Sequence, residues 1–236
     1  MASGMPKEER VEFPGPGGLL EGFLGNQSAA PNGVVIALHP HPLFGGSMHN
    51  NVVETIVRAG QSCDLATLRF NFRGVGRSEG DFSGGTGEQD DTGAALDFLE
   101  RGLDTGTRIP VGLPAVILAG LPAVILAGYS FGAVVALAYC QRQGHCADHL
   151  VLVSPPPFLL PEGVSLEAGV LRKIIVGEKD EMAPLAEVKT RISASRRQDM
   201  IELIPGADHF FVGREDDLEE RLVRILENIQ SKGATS

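Results

Sequence analysis

The sequence predicts a three-layer α/β fold, in which a mostly parallel sheet of about eight strands is covered by helices on both faces. Short continuous apolar runs, typical of strands buried on both faces, alternate with stretches of helical periodicity, and the connections between them are short. Of the 236 residues, 43% are apolar and 21% charged, which is enough to bury a core and too little charge for a disordered chain. Since no linker divides the chain, we expect a single domain over residues 1–236.

The first half begins with a hairpin around the turn sequence PGPGG and continues with two strand–helix pairs. The apolar run GVVIAL is typical of a buried strand, and the stretch after it repeats apolar residues at helical spacing. The predicted elements are strands at Val11–Phe13, Leu19–Leu24, Gly33–Leu38 and Ala66–Phe72, with helices at Asn50–Gln61 and Glu88–Arg101.

The second half contains four more strand patterns and three helix patterns. The last helix has a continuous apolar stripe, and the six residues after it are expected to form a loose tail. The predicted strands are Pro122–Ala127, His149–Val153, Val170–Val176 and Met200–Ile204; the helices are Phe131–Gln143, Pro184–Ala194 and Asp216–Gln230; the tail is Ser231–Ser236.

The charge balance limits the partners. Lys and Arg number 20 against 30 Asp and Glu, a net charge of −10, and an acidic surface repels phosphate backbones and anionic lipids. We therefore expect neither nucleic acid nor a membrane as partner. The polar segment Met1–Arg10 has no apolar signal core, and the three cysteines are odd in number without metal-ligand spacing, so we expect a cytoplasmic protein with reduced thiols.

Residues Gly128–Gly132 read GYSFG, a G-x-S-x-G pattern between a predicted strand and a predicted helix. A sharp strand-to-helix turn leaves no room for side chains two residues to either side of the serine, which explains both glycines. In this context the pattern predicts that Ser130 is a nucleophile rather than an incidental serine in a glycine-rich turn.

A serine nucleophile needs a base, and the base needs an orienting acid. The predicted acid is Asp180, which follows a strand in the sequence GEKD; Glu178 and Glu181 are rivals, and the short aspartate suits a tight turn better. The predicted base is His209, after the last strand, because the ordinary pKa of histidine lies close to neutral. All three candidates follow strand ends, where ligands bind in parallel sheets.

Acyl attack develops a negative oxygen that needs two N–H donors. One predicted donor is Phe131, the residue after the nucleophile. The second is expected from the loop His39–Gly46, in which two prolines lack an N–H. His41 and Leu43 both remain candidates, and His41 is favoured because prolines flank it.

The histidines of this loop also raise a metal site as an alternative. His39, His41 and His49 lie close together in sequence, but the only carboxylate nearby is Glu54 and no cysteine joins the set. We therefore expect no metal and no cofactor.

A further glycine-rich segment, Arg73–Ser78, reads RGVGRS. It lacks the lysine of a P-loop and the third glycine of a dinucleotide fingerprint, and no helix follows it directly. We therefore expect a turn beside the site, in which Arg73 and Arg77 are candidates to attract an anionic substrate.

Together these residues resemble the α/β-hydrolase superfamily over nearly the whole chain. The sequences HPHPLFGG, RFNFRGVGRSEG, GYSFG, GEKD and GADHFF are similar to those of small bacterial hydrolases related to dienelactone hydrolase. The resemblance implies an eight-stranded, mostly parallel sheet, a Ser130–Asp180–His209 triad, and a turn after the fourth strand at Arg73–Ser78. Dienelactone hydrolases carry a cysteine nucleophile, so the serine favours plain carboxylic esters here.

Cap domains of this superfamily are inserted after the strand that follows the nucleophile helix. Ser154–Gly169 supplies about sixteen residues at that point, too few for a helical lid, so we expect no cap domain and an open site. Phe44 and Tyr129 are predicted to contact the substrate. Candidate apolar walls are Phe44, Phe82, Pro156 and Phe158.

These observations favour a serine carboxylesterase that hydrolyses small, short-acyl esters through an acyl-enzyme. The alternatives are a thioesterase, peptidase or acyltransferase that uses the same triad, and a non-catalytic binding protein that keeps the fold. The expected partner is a small-molecule ester, and an edge strand allows a homodimer.

The sequence LPAVILAG occurs twice in tandem, at 113–120 and 121–128. Only the second copy ends beside Ser130, so we expect the second copy to form the nucleophile strand and the first to loop out at the opposite end of that strand. A slip in pairing by an even number of residues would keep the inward and outward faces of the strand, which makes the other register a competitor.

Overall fold

One sheet of eight strands organises the part of the chain that the structure, a computed structural model, describes: residues 8–25, 31–101, 123–144, 147–160, 171–192 and 200–233. The strands are β1 (Glu8–Gly15), β2 (Gly18–Gly25), β3 (Val34–Leu38), β4 (Ala66–Phe70), β5 (Val124–Tyr129), β6 (His149–Val153), β7 (Leu171–Gly177) and β8 (Ile201–Ile204). The helices are α1 (Asn51–Ser62), α2 (Thr86–Arg101), α3 (Phe131–Gln143), α4 (Leu185–Ile192) and α5 (Glu215–Gly233), with short 3-10 helices at Pro42–Phe44 and Pro157–Leu159.

The strand order is β1-β2-β4-β3-β5-β6-β7-β8. The pairs β1–β2 and β2–β4 are antiparallel, and the other five pairs are parallel. The carboxyl ends of β3 to β8 therefore share one edge, and the loops that carry the candidate site residues meet there. We call this the catalytic edge.

Helices cover both faces of the sheet, and each face has its own core. Residues of α2, α3 and α4 pack on one face, and residues of α1 and α5 pack on the other. Strands β3 and β4 are buried along their whole length, as expected for strands covered on both sides. The predicted three-layer α/β fold is confirmed.

The second copy of the repeated octapeptide supplies β5, as predicted. This strand lies in the centre of the sheet, pairing with β3 from Val34↔Val124 to Leu38↔Gly128 and with β6 on its other side. The first copy, residues 113–120, which is predicted to loop out, lies outside the described residues.

The C-terminal helix is longer than the sequence analysis predicts. α5 continues to Gly233, so the tail predicted from Ser231 is wrong for its first three residues, while 234–236 lie outside the described part. The last turn is held in place because Gln230 donates to the carbonyl oxygen of Cys63 at 2.8 Å and the Ser231 hydroxyl donates to that of Asn228 at 3.1 Å.

The cysteines differ from one another. Cys63 is a buried free thiol, and burial, with a smaller effect of Glu227, raises its pKa to about 11, so it is unreactive. Cys140 is disulfide-bonded, so the expectation of reduced thiols is wrong for this residue. An odd number of cysteines leaves at least one thiol unpaired, but the other two can still form a disulfide.

No helix in the described ranges is long and apolar enough to cross a membrane.

Candidate active site

The tight turn between β5 and α3 holds Ser130 at the catalytic edge. Its backbone has φ 53° and ψ −118°, a conformation that non-glycine residues rarely adopt. A Cβ at Gly128 would collide with the Gly132 carbonyl oxygen, and a Cβ at Gly132 would lie 2.6 Å from that of His39. The two glycines are thus required by close backbone contacts, as the G-x-S-x-G pattern predicts.

Ser130, His209 and Asp180 form a continuous chain of hydrogen bonds. The Ser130 Oγ lies 3.0 Å from Nε2 of His209, and Nδ1 of His209 lies 3.0 Å from both carboxylate oxygens of Asp180. All three side chains are buried. An ionised carboxylate only accepts, so the ring proton is assigned to Nδ1, and Nε2 accepts from the Ser130 hydroxyl.

Asp180, rather than either of its glutamate rivals, reaches the histidine. Its Oδ1 accepts from the backbone N–H of Met182 at 3.0 Å and of Ala183 at 2.7 Å. Burial by itself raises the pKa of Asp180, but hydrogen bonds from His209 and the Ala183 N–H outweigh it and hold the pKa below its ordinary value. Glu178 instead accepts from Gly206 N–H at 2.7 Å and so ties the loop after β7 to the loop after β8.

The backbone N–H groups of Phe131 and His41 are the two predicted donors to the developing negative oxygen. In the described residues, neither the Phe131 N–H nor the His41 N–H has an acceptor within the protein, and the His41 ring packs 4.7 Å from the Phe131 ring. The Leu43 N–H, the alternative second donor, is engaged, because it donates to Nδ1 of His41 at 3.2 Å. Burial, opposed by Glu88, lowers the pKa of His41, which keeps Nδ1 available as that acceptor.

The similarity of the chain to known proteins extends over nearly its whole length. A protein of Rickettsia prowazekii described as uncharacterized is 31% identical over 94% of this chain and 90% of that protein. An α/β serine hydrolase homologue from Coxiella burnetii, a solved structure, is 32% identical, with a TM-score of 0.76 over 94% of this chain and 99% of the other. The chain belongs to the α/β-hydrolase superfamily.

A second solved structure, an α/β serine hydrolase without a lid from Xanthomonas campestris, is 27% identical to this hydrolase, with a TM-score of 0.76 over 97% of each chain. No protein-family model matches the sequence. Between β6 and β7, the described residues of the hydrolase contain only the 3-10 helix Pro157–Leu159; residues 161–170 lie outside them.

The predicted substrate contacts of the hydrolase fall in two different places. Phe44 is 85% exposed on the catalytic edge beside His41, where a substrate can reach it. Tyr129 is only 2% exposed, so the prediction that it contacts substrate is wrong. Because side chains alternate along β5, Tyr129 faces the core under α1 and α5 together with Ile125 and Ala127.

From this position Tyr129 contacts the loop that carries His209. Its hydroxyl donates to the carbonyl oxygen of His209 at 2.8 Å, and the two rings lie 5.5 Å apart. Burial and the nearby carboxylates of Asp180 and Asp208 raise the pKa of Tyr129, so the phenol keeps its proton. Tyr129 therefore anchors the loop that carries His209.

Replacing Tyr129 by phenylalanine is expected to lower kcat about tenfold with little change in KM. The substitution removes only the hydroxyl, so the His209 loop loses an anchor while the substrate surface is untouched. Steady-state kinetics on p-nitrophenyl acetate measure the effect, and Tyr139→Phe is the control, since Tyr139 packs against Arg142 on α3. Full kcat together with a lower unfolding free energy would assign the hydroxyl to stability alone.

His39 has a structural position that the sequence analysis misses. It is fully buried; Nδ1 donates to the Pro40 carbonyl oxygen at 2.7 Å and Nε2 accepts from the Phe72 N–H at 3.0 Å. Both ring nitrogens are thus used, and the ring ties the end of β3 to the chain after β4. Among the described residues, no group of three or more His, Cys, Asp or Glu side chains could hold a metal ion.

Acid is expected to destabilise the hydrolase through His39. Burial, opposed by the bond to Pro40, lowers the pKa of His39 from 6.5 to about 4. Between these values the unfolded chain binds more protons, so the free energy of unfolding falls as pH falls, by about 3 kcal/mol in all. Urea unfolding at about pH 7 and about pH 4 measures this. The free energy of unfolding of His39→Gln should fall less than that of wild type. His49→Gln, a control at an exposed position, should lose as much as wild type. Equal losses in all three proteins would contradict the assignment.

The arginines of the turn after β4 differ in what they can offer an anion. Arg73 is held by Asp91 through its Nε and Nη2 atoms, at distances from 2.7 to 3.1 Å, so it is not available to a substrate. Arg77 is exposed, and its backbone N–H donates to Glu21 at 2.7 Å. The segment is a turn, as predicted, and its anion-attracting role is wrong for Arg73.

Proposed function

We propose that this hydrolase is a serine carboxylesterase that cleaves small, short-acyl carboxylic esters through an acyl-enzyme. The observation that carries the proposal is the unbroken path from the Ser130 hydroxyl through His209 to Asp180, with 3.0 Å at each step. Donors and acceptors along this path are matched for moving one proton from oxygen to nitrogen.

In the proposed mechanism, Nε2 of His209 takes the Ser130 proton as Oγ attacks the ester carbonyl carbon. The carbonyl oxygen becomes negative and accepts from the N–H groups of Phe131 and His41. Collapse breaks the bond to the alcohol oxygen, which receives the proton from Nε2, and leaves an ester on Ser130. A water molecule then gives its proton to Nε2 and attacks that ester; the proton returns to Oγ as the acid leaves.

Labelling with a fluorophosphonate probe tests the nucleophile directly. We expect one label per wild-type chain, and none on Ser130→Ala. Ser231→Ala, a change on the far end of α5, is the control and should be labelled like wild type. Hydrolysis of p-nitrophenyl acetate and butyrate should fall by several orders of magnitude in Ser130→Ala. Equal turnover by this variant and wild type would refute the proposal.

Substrate class needs a separate comparison, because thioesters and amides can form the same acyl-enzyme. We expect kcat/KM for the butyrate ester to exceed that for butyryl-coenzyme A and for an aminoacyl p-nitroanilide. A thioester or an amide that turns over faster than the ester would keep the mechanism and replace the substrate class.

A further inference from the structure

Exposed apolar side chains are concentrated around the candidate site. In the described residues, every large apolar side chain that is exposed, except Leu19, lies in a loop at the catalytic edge. Phe44 lies after β3, Phe158 after β6, Met182 after β7 and Phe210 after β8. An apolar rim of this kind is typical of a surface that receives an apolar ligand.

An open cavity lies beside α3, and its lining includes the exposed Leu159. Its volume is about 180 Å³, and it is lined by Phe131, Val134, Val135 and Ala138 of α3, by Leu159, and by Gly84, Gly85, Thr86 and Gln89. We call it the α3 trench. From Phe131 to Ala138 it follows α3 for about 10 Å. Its lining includes no charged side chain, and its polar side chains, Thr86 and Gln89, are neutral.

The two sides of the sheet give the two halves of an ester different surroundings. The His209 ring lies 5.5 Å from the ring of Tyr129, which belongs to the core under α1 and α5. The trench lies along α3, whose Phe131 and Val134 belong to the core on the opposite face. In the proposed mechanism the leaving alcohol takes its proton from His209 and so lies on the His209 side. The acyl group then extends away from it, toward α3.

We propose that the α3 trench is the acyl-binding subsite and that it takes an uncharged, apolar acyl chain. The inference rests on the proposed esterase function and deepens it. A volume of 180 Å³ corresponds to about six groups the size of a water molecule, at ~30 Å³ each. The rate is therefore expected to rise from acetate to butyrate or hexanoate and to fall for much longer chains.

Filling and widening the trench tests the proposal. Ala138→Phe fills its far end, whereas Leu159→Ala widens it from a partly exposed position that tolerates truncation. The readout is the ratio of kcat/KM for p-nitrophenyl hexanoate to that for p-nitrophenyl acetate. We expect the ratio to fall about tenfold or more in Ala138→Phe and to rise in Leu159→Ala. Gln143→Phe introduces the same side chain at an exposed site on α3 outside the trench and should keep the wild-type ratio.

A second series separates the acyl group from the alcohol. Acetate esters of longer alcohols should show no change of ratio in either variant, because the alcohol lies on the His209 side. A changed alcohol preference with an unchanged acyl preference would overturn the proposal, and so would an acyl profile identical in all four proteins. Absence of both labelling and turnover in wild type would instead refute the esterase function, and the subsite with it. Circular dichroism checks that each variant is folded.

Discussion

Replacing Asp180 by asparagine is expected to lower kcat about 10⁴-fold while the chain stays folded. The two side chains have nearly the same shape, so packing changes little. What changes is the direction of the hydrogen bonds, since an amide offers one acceptor and one donor where a carboxylate offers two acceptors.

The surroundings of Asp180 decide which way the amide turns. Oδ1 accepts from two backbone N–H groups, those of Met182 and Ala183, so the carbonyl oxygen of an asparagine would take this position. The NH₂ group would then replace Oδ2, 3.0 Å from Nδ1 of His209, and its donation would favour an Nδ1 that accepts. The ring proton would move to Nε2, and a protonated Nε2 cannot take the proton of Ser130.

Steady-state kinetics on p-nitrophenyl acetate measure this loss. Glu181→Gln is the matched control, because it neutralises an exposed carboxylate in the next position and should keep wild-type kcat. Activity of Asp180→Asn within tenfold of wild type would show that His209 does not depend on Asp180 for its tautomer.

Replacing Gly132 by alanine is expected to lower the free energy of unfolding by about 3 kcal/mol or more. A Cβ at this position would collide with the carbonyl oxygen of Leu38 and lie 2.6 Å from that of His39. Both are backbone atoms of the chain leading to His41, and no side-chain rotation relieves the overlap. A displaced His41 N–H would also lower kcat.

Urea unfolding gives the free energy, and Gly144→Ala is the matched control at the other end of α3. A Cβ on Gly144 meets nothing within 4 Å, so only its left-handed backbone, φ 75°, opposes the change, at a cost of roughly 1 kcal/mol. Similar losses in the two variants would mean that the backbone near Gly132 yields easily.

The strands and helices were predictable because their periodicity is local, whereas their ends depend on distant partners. β4 ends at Phe70 instead of Phe72, and beyond it the Phe72 N–H donates to the His39 ring instead of to a strand backbone. Contacts between β2 and β4, or between β3 and the chain after β4, leave no trace in a window of neighbouring residues. The order of strands in the sheet is missing from the sequence pattern for the same reason.

The candidate site divides in the same way. Ser130, Asp180 and His209 could be found because the chemistry demands particular residue types at strand ends. The supporting role of Tyr129 was missed, although alternation along β5 already places it on the face of Ile125 and Ala127, away from the substrate. No local signal marks the buried position of His39, since its partner is the backbone of Phe72, 33 residues along the chain.

The position of His209, the base of the proposed mechanism, after the last described strand has a consequence for when the proposed activity is present. Ser130 and His209 are 79 residues apart, and β8, the strand before His209, has four residues and, among the described strands, pairs only with β7 at the edge of the sheet. During synthesis Ser130 emerges 79 residues before His209, which is the base of the proposed mechanism. In the finished protein, local unfolding of this edge alone would separate His209 from Ser130 while the rest of the sheet persists. Activity therefore reports the integrity of the C-terminal edge, and it should disappear on heating before the central strands unfold.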